Sequence, residues 1–288
     1  MINPIKTKEY FMRDAVKISF VTIAIVISTV VLIVFLQQFK SKNTDTAEDI
    51  IRLDGLHVAT LAASMEDVPS FANYANVIEK KRAFFAYLQP EIQRQNEIVT
   101  KERQMVLALQ GMFLQHKKLN KHQQKVFNKL IAKYQFSGDK ELSLERTIEM
   151  LIRRVDSIPE ALILVQAANE SGWGASRFAQ QGYNFFGLWC FKKGCGFVPK
   201  QRDDDAKHEV AKFTDLSHAV MTYMRNINRH YAYKDLRMIR ENLRQDGKPV
   251  TAVALASGLL SYSERGQEYI DELRSMLRVN RKHMVISI

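Results

Sequence analysis

The stretch from Ile158 to Gly174, IPEALILVQAANESGWG, constrains the fold of this chain more than any other. From Ala161 to Ala168 it contains only one polar residue, Gln166, so a helix over these residues is apolar nearly all round. A helix of that kind is usually buried in the core of a domain rather than laid on its surface. The sequence therefore predicts a buried central helix.

The two ends of this helix place a carboxylate in an unusual setting. Ser157 and Glu160 predict a capping box near residue 158, and Gly172 predicts where the helix stops. Glu170 then lies in the last turn, where partial desolvation and the negative end of the helix dipole both disfavour ionisation and raise the pKa. A carboxylic acid that keeps its proton near neutral pH is suited to general acid catalysis.

Several motifs occur in order around Glu170: EKKRAFFAYLQP upstream, then ESGWG, NFFGLWCFKKGCGFVP, HEVAKFTD and SYSERG. This series resembles the glucosaminidase domain of bacterial peptidoglycan hydrolases, a family that includes flagellar-type muramidases and several autolysins. It resembles most closely the Bax-type membrane proteins of Gram-negative bacteria. The resemblance runs from about Ser70 to about Asn280. It implies a mainly α (α+β) fold, in which a lysozyme-like helical domain carries a small β-hairpin lobe.

The resemblance also implies catalytic roles. Glu170 becomes the proton donor. Tyr231 and Tyr233 lie where the family has a tyrosine near its active site, and we assign that role to Tyr233. The family places a second Glu in the first hairpin strand, but residues 199–202 contain none. Glu209 is our candidate, because two-residue alternation puts it on the same strand face as Phe213. A cross-strand partner for a basic residue, or a reaction in which the substrate's own N-acetyl group is the nucleophile, remain open alternatives.

Aromatic residues crowd the sequence just after Glu170. Both tryptophans of the chain, Trp173 and Trp189, lie there, and indole faces suit the apolar faces of sugars. We predict that Trp173, Phe185 and Trp189 line a substrate cleft, and that Phe186 lies in the core. Asn184 binds an N-acetyl group in this prediction, with stabilisation of the loop backbone as the alternative.

The chain has only two cysteines, Cys190 and Cys195. In an oxidising compartment they can form a disulfide, which is our prediction; a metal-binding pair and two free thiols are the alternatives. The seven histidines form no HExxH motif, and no CxxC is present, so we predict no metal site. We expect no cofactor.

The run from Ile18 to Leu36 contains no charged residue and is long enough to cross a bilayer. A cleaved signal peptide is the rival, but its apolar core is usually about 7 to 15 residues and a small-residue cleavage site should follow. Lysine and arginine precede the run and acidic residues soon follow it, so the positive-inside rule favours a cytoplasmic N-terminus. We therefore predict a single-pass protein of the bacterial inner membrane with its catalytic domain in the periplasm.

Other local features of the sequence suggest the domain organisation. Pro90 is expected to break or bend a helical run that could be a spacer or a clamp, and two short strands are expected around an acidic turn at residues 203–205. The predicted segments are a cytoplasmic N-terminus (1–17), a transmembrane helix (18–36), a juxtamembrane tether (37–70), a helical region (71–141) and a glucosaminidase-like catalytic domain (142–280).

The net charge of +11 fits either solvated helix faces or attraction to an anionic polymer or lipid headgroup, and no nucleic-acid recognition motif accompanies it. We expect peptidoglycan glycan strands and the inner membrane as partners, and no nucleic acid. The predicted function is hydrolysis of a β-1,4 glycosidic bond of the glycan strand. A lytic transglycosylase and a non-catalytic peptidoglycan-binding scaffold are the alternatives.

Overall fold

The computed structural model describes residues 67–135, 142–199 and 208–284, all of which belong to one compact unit. The predicted cytoplasmic N-terminus, the transmembrane helix at 18–36 and most of the tether at 37–70 lie outside the described residues. Across the three described ranges, no helix combines the length and the apolar character that crossing a membrane requires.

Helices dominate the described chain, and a small sheet is inserted among them, which confirms the mainly α class. The lysozyme-like arrangement stays a prediction. The helices are α1 (Val77–His116), α2 (Lys121–Tyr134), α3 (Leu144–Arg154), α4 (Glu160–Ser171), α5 (Arg177–Gly182), α6 (Leu216–Arg229), α7 (Lys234–Gln245), α8 (Ala252–Ala256) and α9 (Gln267–Asn280). The strands are β1 (Trp189–Cys190), β2 (Gly196–Phe197) and β3 (Glu209–Ala211). Short 3-10 turns lie at Phe71–Asn73, Tyr231–Tyr233, Ser257–Leu259 and Arg281–His283.

Helix α4 is the buried centre that the sequence predicts. Every residue from Leu162 to Ala168 is buried, and the helix packs against α1, α8 and α9. Each fully buried Leu, Ile or Val side chain contributes about 1.5–3 kcal/mol, so burial on all sides holds this helix in place. Gly172 ends it as predicted, with a left-handed φ of 57° and an N–H that donates to the Ala168 carbonyl.

The start of α4 differs from the prediction. The helix begins at Glu160 after Pro159, which makes no side-chain cap, so the predicted capping box is wrong. The Glu160 Oε2 instead accepts hydrogen bonds from Gln89 at 2.9 Å and Gln93 at 3.0 Å, both on α1. This carboxylate joins two helices instead of capping its own.

Helix α1 runs unbroken through Pro90, so the predicted break does not occur, and the alternative of a bend stays a prediction. Proline removes one hydrogen bond from the helix ladder and frees the carbonyl four residues earlier, that of Ala86. Both Ala86 and Pro90 are exposed, so the freed carbonyl faces water, while Phe84, Phe85 and Leu88 on the other side are buried. Helix α1 packs against α3, α4 and α6, and the region predicted at 71–141 is therefore packed onto the catalytic domain.

The sheet has three antiparallel strands in the order β1, β3, β2. Strand β3 confirms one of the two predicted strands, but Val198 and Pro199 are not in a strand, and residues 200–207, with the acidic turn, lie outside the described residues. The partners of β3 instead come from before Pro199: Trp189 pairs with Val210, and Gly196 pairs with Ala211. The segment with the cysteines therefore supplies both edges of the sheet.

Part of the basic composition is internal rather than a solvated helix face. Arg240 on α7 is 1% exposed and lies beside the carboxylate of Asp156, which is also buried. Its guanidinium donates to the carbonyls of Arg153 and Arg154 at the end of α3, and to Asn228 Oδ1 at 2.8 Å. This arginine holds the junction between α3 and α4, and so fixes where α4 begins.

Candidate active site

Glu170 stands in the last turn of α4 and is exposed to solvent. Its Oε1 accepts a 3.0 Å hydrogen bond from the hydroxyl of Tyr269, which projects from α9. On the other side, Gly187 comes so close that a Cβ atom on it would lie 3.5 Å from Glu170 Oε2. The carboxyl group is therefore held between α9 and the loop at 184–188 and still reaches water.

Three tyrosines, Tyr233, Tyr262 and Tyr269, form what we name the tyrosine cluster beside Glu170. The ring centroids of Tyr233 and Tyr262 are 5.6 Å apart, and those of Tyr262 and Tyr269 are 5.4 Å apart. Burial raises the pKa of Tyr269, and the negative charge of Glu170 raises it further; Tyr233 has the same two causes in the same order. These hydroxyls therefore stay protonated.

The hydrogen bond from Tyr269 to Glu170 is the last of a series of hydrogen bonds that runs through the core. The Tyr223 hydroxyl donates to Gln166 Oε1 at 2.5 Å, and Gln166 Nε2 donates to the Tyr269 oxygen at 3.2 Å. Because an amide NH₂ can only donate, the Tyr269 oxygen accepts from Gln166 and its hydrogen is left to point at Glu170. This series thus fixes both the position and the direction of the donor that faces the carboxyl group.

Burial raises the pKa of Glu170 above its ordinary value, which is the direction that the sequence predicts. Hydrogen bonds from Tyr269 and Tyr262 act against this rise because they stabilise the ionised form, and the nearby charge of Glu272 adds to it. Although part of Glu170 reaches solvent, the rings around its carboxyl group remove enough water for desolvation to prevail. The result is an accessible acid that holds its proton more firmly than a surface Glu.

Asn184 fastens the loop that faces Glu170. Its Nδ2 donates to the carbonyls of Leu188 and Ala211, both at 2.8 Å, and its Oδ1 accepts the Leu188 N–H at 3.0 Å. These three bonds hold the buried amide in the loop, which supports the alternative, stabilisation of the loop backbone; its predicted binding of an N-acetyl group stays a prediction. Gly187, with a left-handed φ of 63°, then brings the backbone across the carboxyl group without a side chain.

The two tryptophans differ in their surroundings. Trp173 is half-buried and packs edge-on against Phe84 and Phe85 of α1, with ring centroids 5.7 and 5.4 Å away. Trp189 is 58% exposed and stacks on the His208 imidazole, with ring centroids 4.0 Å apart and ring planes 5° apart. Trp189 therefore offers a solvent-facing indole, as a sugar platform needs, while Trp173 offers a smaller surface.

Phe185 and Phe186 are both internal. Phe186 stacks on Tyr223 at 3.9 Å, which confirms its predicted place in the core. Phe185 has no exposed surface and packs against Phe84 and Tyr87. Phe185 therefore has no exposed surface that could contact a substrate as predicted. The buried ring instead packs against α1 behind the site.

Glu209 lies in β3 and is only 5% exposed. Its two oxygens accept backbone N–H groups of the neighbouring loop, from Gly194 at 2.9 Å and from Gly196 at 2.8 Å. Strand alternation predicted an inward-facing Glu209 correctly, but the carboxylate is used to hold the loop between β1 and β2. Its predicted catalytic role stays a prediction, and the geometry favours a structural one.

That loop is closed by a disulfide between Cys190 and Cys195, as predicted. The two sulfurs and a Glu209 oxygen lie within 4.8 Å of one another, a spacing that could suit a metal ion. However, the sulfurs are bonded to each other, and the ligand in protein metal sites is a thiolate. This group of atoms therefore braces the sheet.

Comparison with known proteins now places the chain among its relatives. Residues 146–282 match the glucosaminidase family, described as mannosyl-glycoprotein endo-beta-N-acetylglucosaminidase. The chain is also 30% identical over 221 residues to protein bax of Escherichia coli (strain K12), which covers 77% of this chain and 77% of that protein. The chain belongs to the Bax family. No solved structure matches it.

The glucosaminidase domain makes this Bax-family protein a glycoside hydrolase that acts on a glycan. Glu170 and the three residues of the tyrosine cluster all fall inside the matched segment. Helix α1 lies outside it, although its aromatic residues support Trp173.

Sequence reasoning missed two residues of the site in this Bax-family protein. Tyr269 was given no role, and Tyr262 was included only as part of the SYSERG motif. Gln166 carried a signal, because it is the one polar residue in an apolar helix and lies one turn before Glu170, on the same helix face. A buried amide needs hydrogen-bond partners, so this position indicated that a polar group from elsewhere in the chain approaches the acid.

Proposed function

We propose that this Bax-family protein hydrolyses the β-1,4 glycosidic bond of peptidoglycan strands as an N-acetylglucosaminidase, with Glu170 as the general acid. Such an acid must deliver a proton to the leaving oxygen as the bond breaks. The observation that carries the proposal is the accessible carboxyl group of Glu170, whose pKa is raised by burial and whose position is fixed by Tyr269. The match to the glucosaminidase family supports it.

The second catalytic role falls, in this proposal, to the substrate's own N-acetyl group. Glu209 supports this choice because both of its oxygens are already hydrogen-bonded to backbone N–H groups of the sheet. An N-acetyl group that attacks its own anomeric carbon replaces the second carboxylate of the usual scheme. Tyr233, packed beside Tyr262 and held near Glu170, is then placed to keep the site dry rather than to transfer a proton.

The compartment is proposed from the sequence and the disulfide together. We place the catalytic domain in the periplasm, anchored through residues 18–36 in the inner membrane, because a disulfide persists in an oxidising compartment and peptidoglycan lies there. Protease digestion of spheroplasts tests this placement. Cleavage of the domain from outside the inner membrane is expected, and protection of the domain would contradict it.

Digestion of purified sacculi tests the enzymatic proposal. The wild-type chain should release soluble fragments with new reducing ends, and Glu170→Gln should release none. Glu145→Gln is the matched control, because Glu145 is an exposed residue in the first turn of α3 and should leave activity unchanged.

Mass spectrometry of the fragments identifies the reaction. Reducing N-acetylglucosamine ends are expected, whereas 1,6-anhydro ends would show that the protein is a lytic transglycosylase instead. Sacculus binding without any released fragment would support the non-catalytic scaffold. Full activity of Glu170→Gln would remove Glu170 from the acid role.

A further inference from the structure

An open cavity of about 430 Å³ lies at the same end of α4 as Glu170, between the first turns of α1 and the last turns of α9. Asn169 and Gly172, which flank Glu170 in the chain, form part of its wall. Four further residues give it its chemical character: Lys81, Trp173, Glu272 and Asn280. It is therefore adjacent to the candidate acid but is built largely from other elements.

Lys81 is the cation of this cavity. Its Nζ donates to Asn280 Oδ1 at 2.8 Å and lies 4.8 Å from the centroid of the Trp173 ring. An amide oxygen and an indole face attract an ammonium group without neutralising it. Lys81 has no carboxylate partner within the described residues, and the carboxylate of the cavity wall, Glu272, is paired with Arg265 at 2.7 Å.

The position of Lys81 is fixed from behind. Asn280 is 2% exposed, and its Nδ2 donates to the carbonyl of Met276 at 2.9 Å, so its oxygen is held in place for Lys81. Other cations lie near by: the pKa of His283 is lowered by burial and then by Lys282, Arg82 and Lys81. This edge of the cavity is electropositive and favours an anionic ligand.

Lys81 belongs to α1, outside the segment that matches the glucosaminidase family. The catalytic domain alone would therefore lack this cation, and the packing of α1 supplies it. Bare polymers of N-acetylglucosamine carry no anionic group that could use it. Peptidoglycan strands do, because the peptide stems attached to their sugars carry carboxylates.

We infer that this cavity is a subsite for the peptide stem of the substrate, in which Lys81 binds a stem carboxylate and Trp173 packs against the adjoining apolar surface. The inference rests on the proposed function and adds a selectivity to it: strands with stems are preferred to strands without them. Helix α1 is then a substrate-binding element as well as a structural one.

Kinetics on two matched substrates test the inference with the full-length chain. One is a preparation of soluble peptidoglycan strands, and the other is the same preparation after an amidase has removed the stems and the lactyl carboxylates that this frees have been converted to neutral methylamides. Lys81→Met should lower kcat/KM on the strands with stems about tenfold, which corresponds to roughly 1.4 kcal/mol and is in the range for a hydrogen bond to a charged group. It should leave kcat/KM on the stem-free strands unchanged.

Two further variants exclude simple effects on folding. Lys101→Met, on an exposed lysine of the same helix about 30 Å away at 1.5 Å per residue, should change neither substrate's kinetics. Lys81→Arg keeps the positive charge beside Asn280 and Trp173, and should keep the preference for strands with stems. Equal losses on both substrates, or no loss with Lys81→Met, would overturn the inference.

A binding measurement separates the two proposals. In a Glu170→Gln background, calorimetric titration with the same soluble strands before and after stem removal should show that stems strengthen binding and that Lys81→Met abolishes the difference. If the wild type cleaves neither substrate while binding keeps this pattern, hydrolysis is wrong and the stem subsite stands. If cleavage proceeds and binding ignores both stems and Lys81, the subsite is wrong and hydrolysis stands.

Discussion

Glu170 and Glu209 are both carboxylates of the glucosaminidase domain, yet their surroundings are opposite. Glu170 ends a helix, is exposed, and receives its hydrogen bonds from tyrosine hydroxyls. Glu209 lies in the middle strand of the sheet and is buried. It accepts hydrogen bonds from backbone N–H groups of a loop that is closed by a disulfide.

The difference shows that burial alone does not make a carboxylate a functional acid. Two backbone N–H groups donate to the Glu209 carboxyl oxygens and hold them in place, so Glu209 serves as a fixed anchor of the loop. At Glu170 the two donors are tyrosine hydroxyls and desolvation prevails, so the pKa of Glu170 is raised at a place that a substrate can reach. Access to solvent and the kind of donor distinguish the two carboxyl groups.

The largest expected effect follows from removing the acid. Glu170→Gln should lower kcat on peptidoglycan by at least about 100-fold, because general acid catalysis contributes roughly 10²–10⁴. The measurement is the rate of reducing-end release at saturating substrate. A comparable loss of kcat in Glu209→Gln, with its stability intact, would give the two carboxylates similar roles and break the comparison.

The second prediction concerns stability. Glu209→Ala removes the acceptor for Gly194 N–H and Gly196 N–H, and should lower the free energy of unfolding by about 1–3 kcal/mol, as expected for the loss of two hydrogen bonds of roughly 0.5–1.5 kcal/mol each. Urea denaturation measures this change. At temperatures where the variant is folded, its kcat should stay close to that of the wild type. An unchanged stability would show that the anchor is unimportant.

Much of the Glu170 environment could be predicted from the sequence because it is local. An apolar run, a stop glycine and a helix end lie within a few residues of each other, and together they predicted the buried α4, its end at Gly172 and the direction of the Glu170 pKa. The disulfide was predictable for the same reason, since its two cysteines are 5 residues apart.

What could not be predicted is long-range. Tyr269 reaches Glu170 across a separation of 99 residues, and only the packing of α9 on α4 brings them together. The partners of β3 were misplaced because strands of two residues carry no alternation that can be recognised. Pro90 was overinterpreted, because a proline on the solvent side of a helix anchored by Phe84, Phe85 and Leu88 leaves its freed carbonyl to water.

The third prediction concerns Tyr269, which donates a hydrogen bond to Glu170. Tyr269→Phe removes a hydrogen bond that stabilises ionised Glu170, so the pKa of Glu170 should rise further and the high-pH limb of the kcat/KM profile should move to higher pH. Lost positioning should lower kcat roughly fivefold, as expected for a hydrogen bond of about 1 kcal/mol.

Tyr231→Phe is the matched control for that change, since Tyr231 is 73% exposed and precedes the buried Tyr233. It should leave both kcat and the pH profile unchanged. A shift of the Tyr269→Phe profile to lower pH would mean that Tyr269 stabilises the protonated acid, and the hydrogen-bond chain through Gln166 would then have to run in the opposite direction.

The smallest expected effect is the pH dependence of stability. A carboxyl group whose pKa is raised in the folded state binds its proton more tightly there than in the unfolded chain. Its contribution is fully present below the unfolded pKa and is lost as the pH rises through the folded pKa. A glutamine at this position does not ionise, so the Glu170→Gln variant does not lose this stability as the pH rises. The Tm of the variant should therefore exceed the wild-type Tm at pH 8, and the difference between the two should shrink toward pH 4. A variant that is less stable at pH 8 would show that ionised Glu170 stabilises the fold.

The most direct test of the account is the titration of Glu170 itself. In the protein with ¹³C-labelled glutamate carboxyl groups, the resonance missing from Glu170→Gln identifies this residue, and its chemical shift can be followed from pH 3 to pH 8. The account predicts a midpoint clearly above the ordinary value of about 4.3 for glutamate, and a still higher one in Tyr269→Phe. A midpoint at or below that value would show that Glu170 is ionised when the substrate needs its proton, and would contradict the assignment of the general acid.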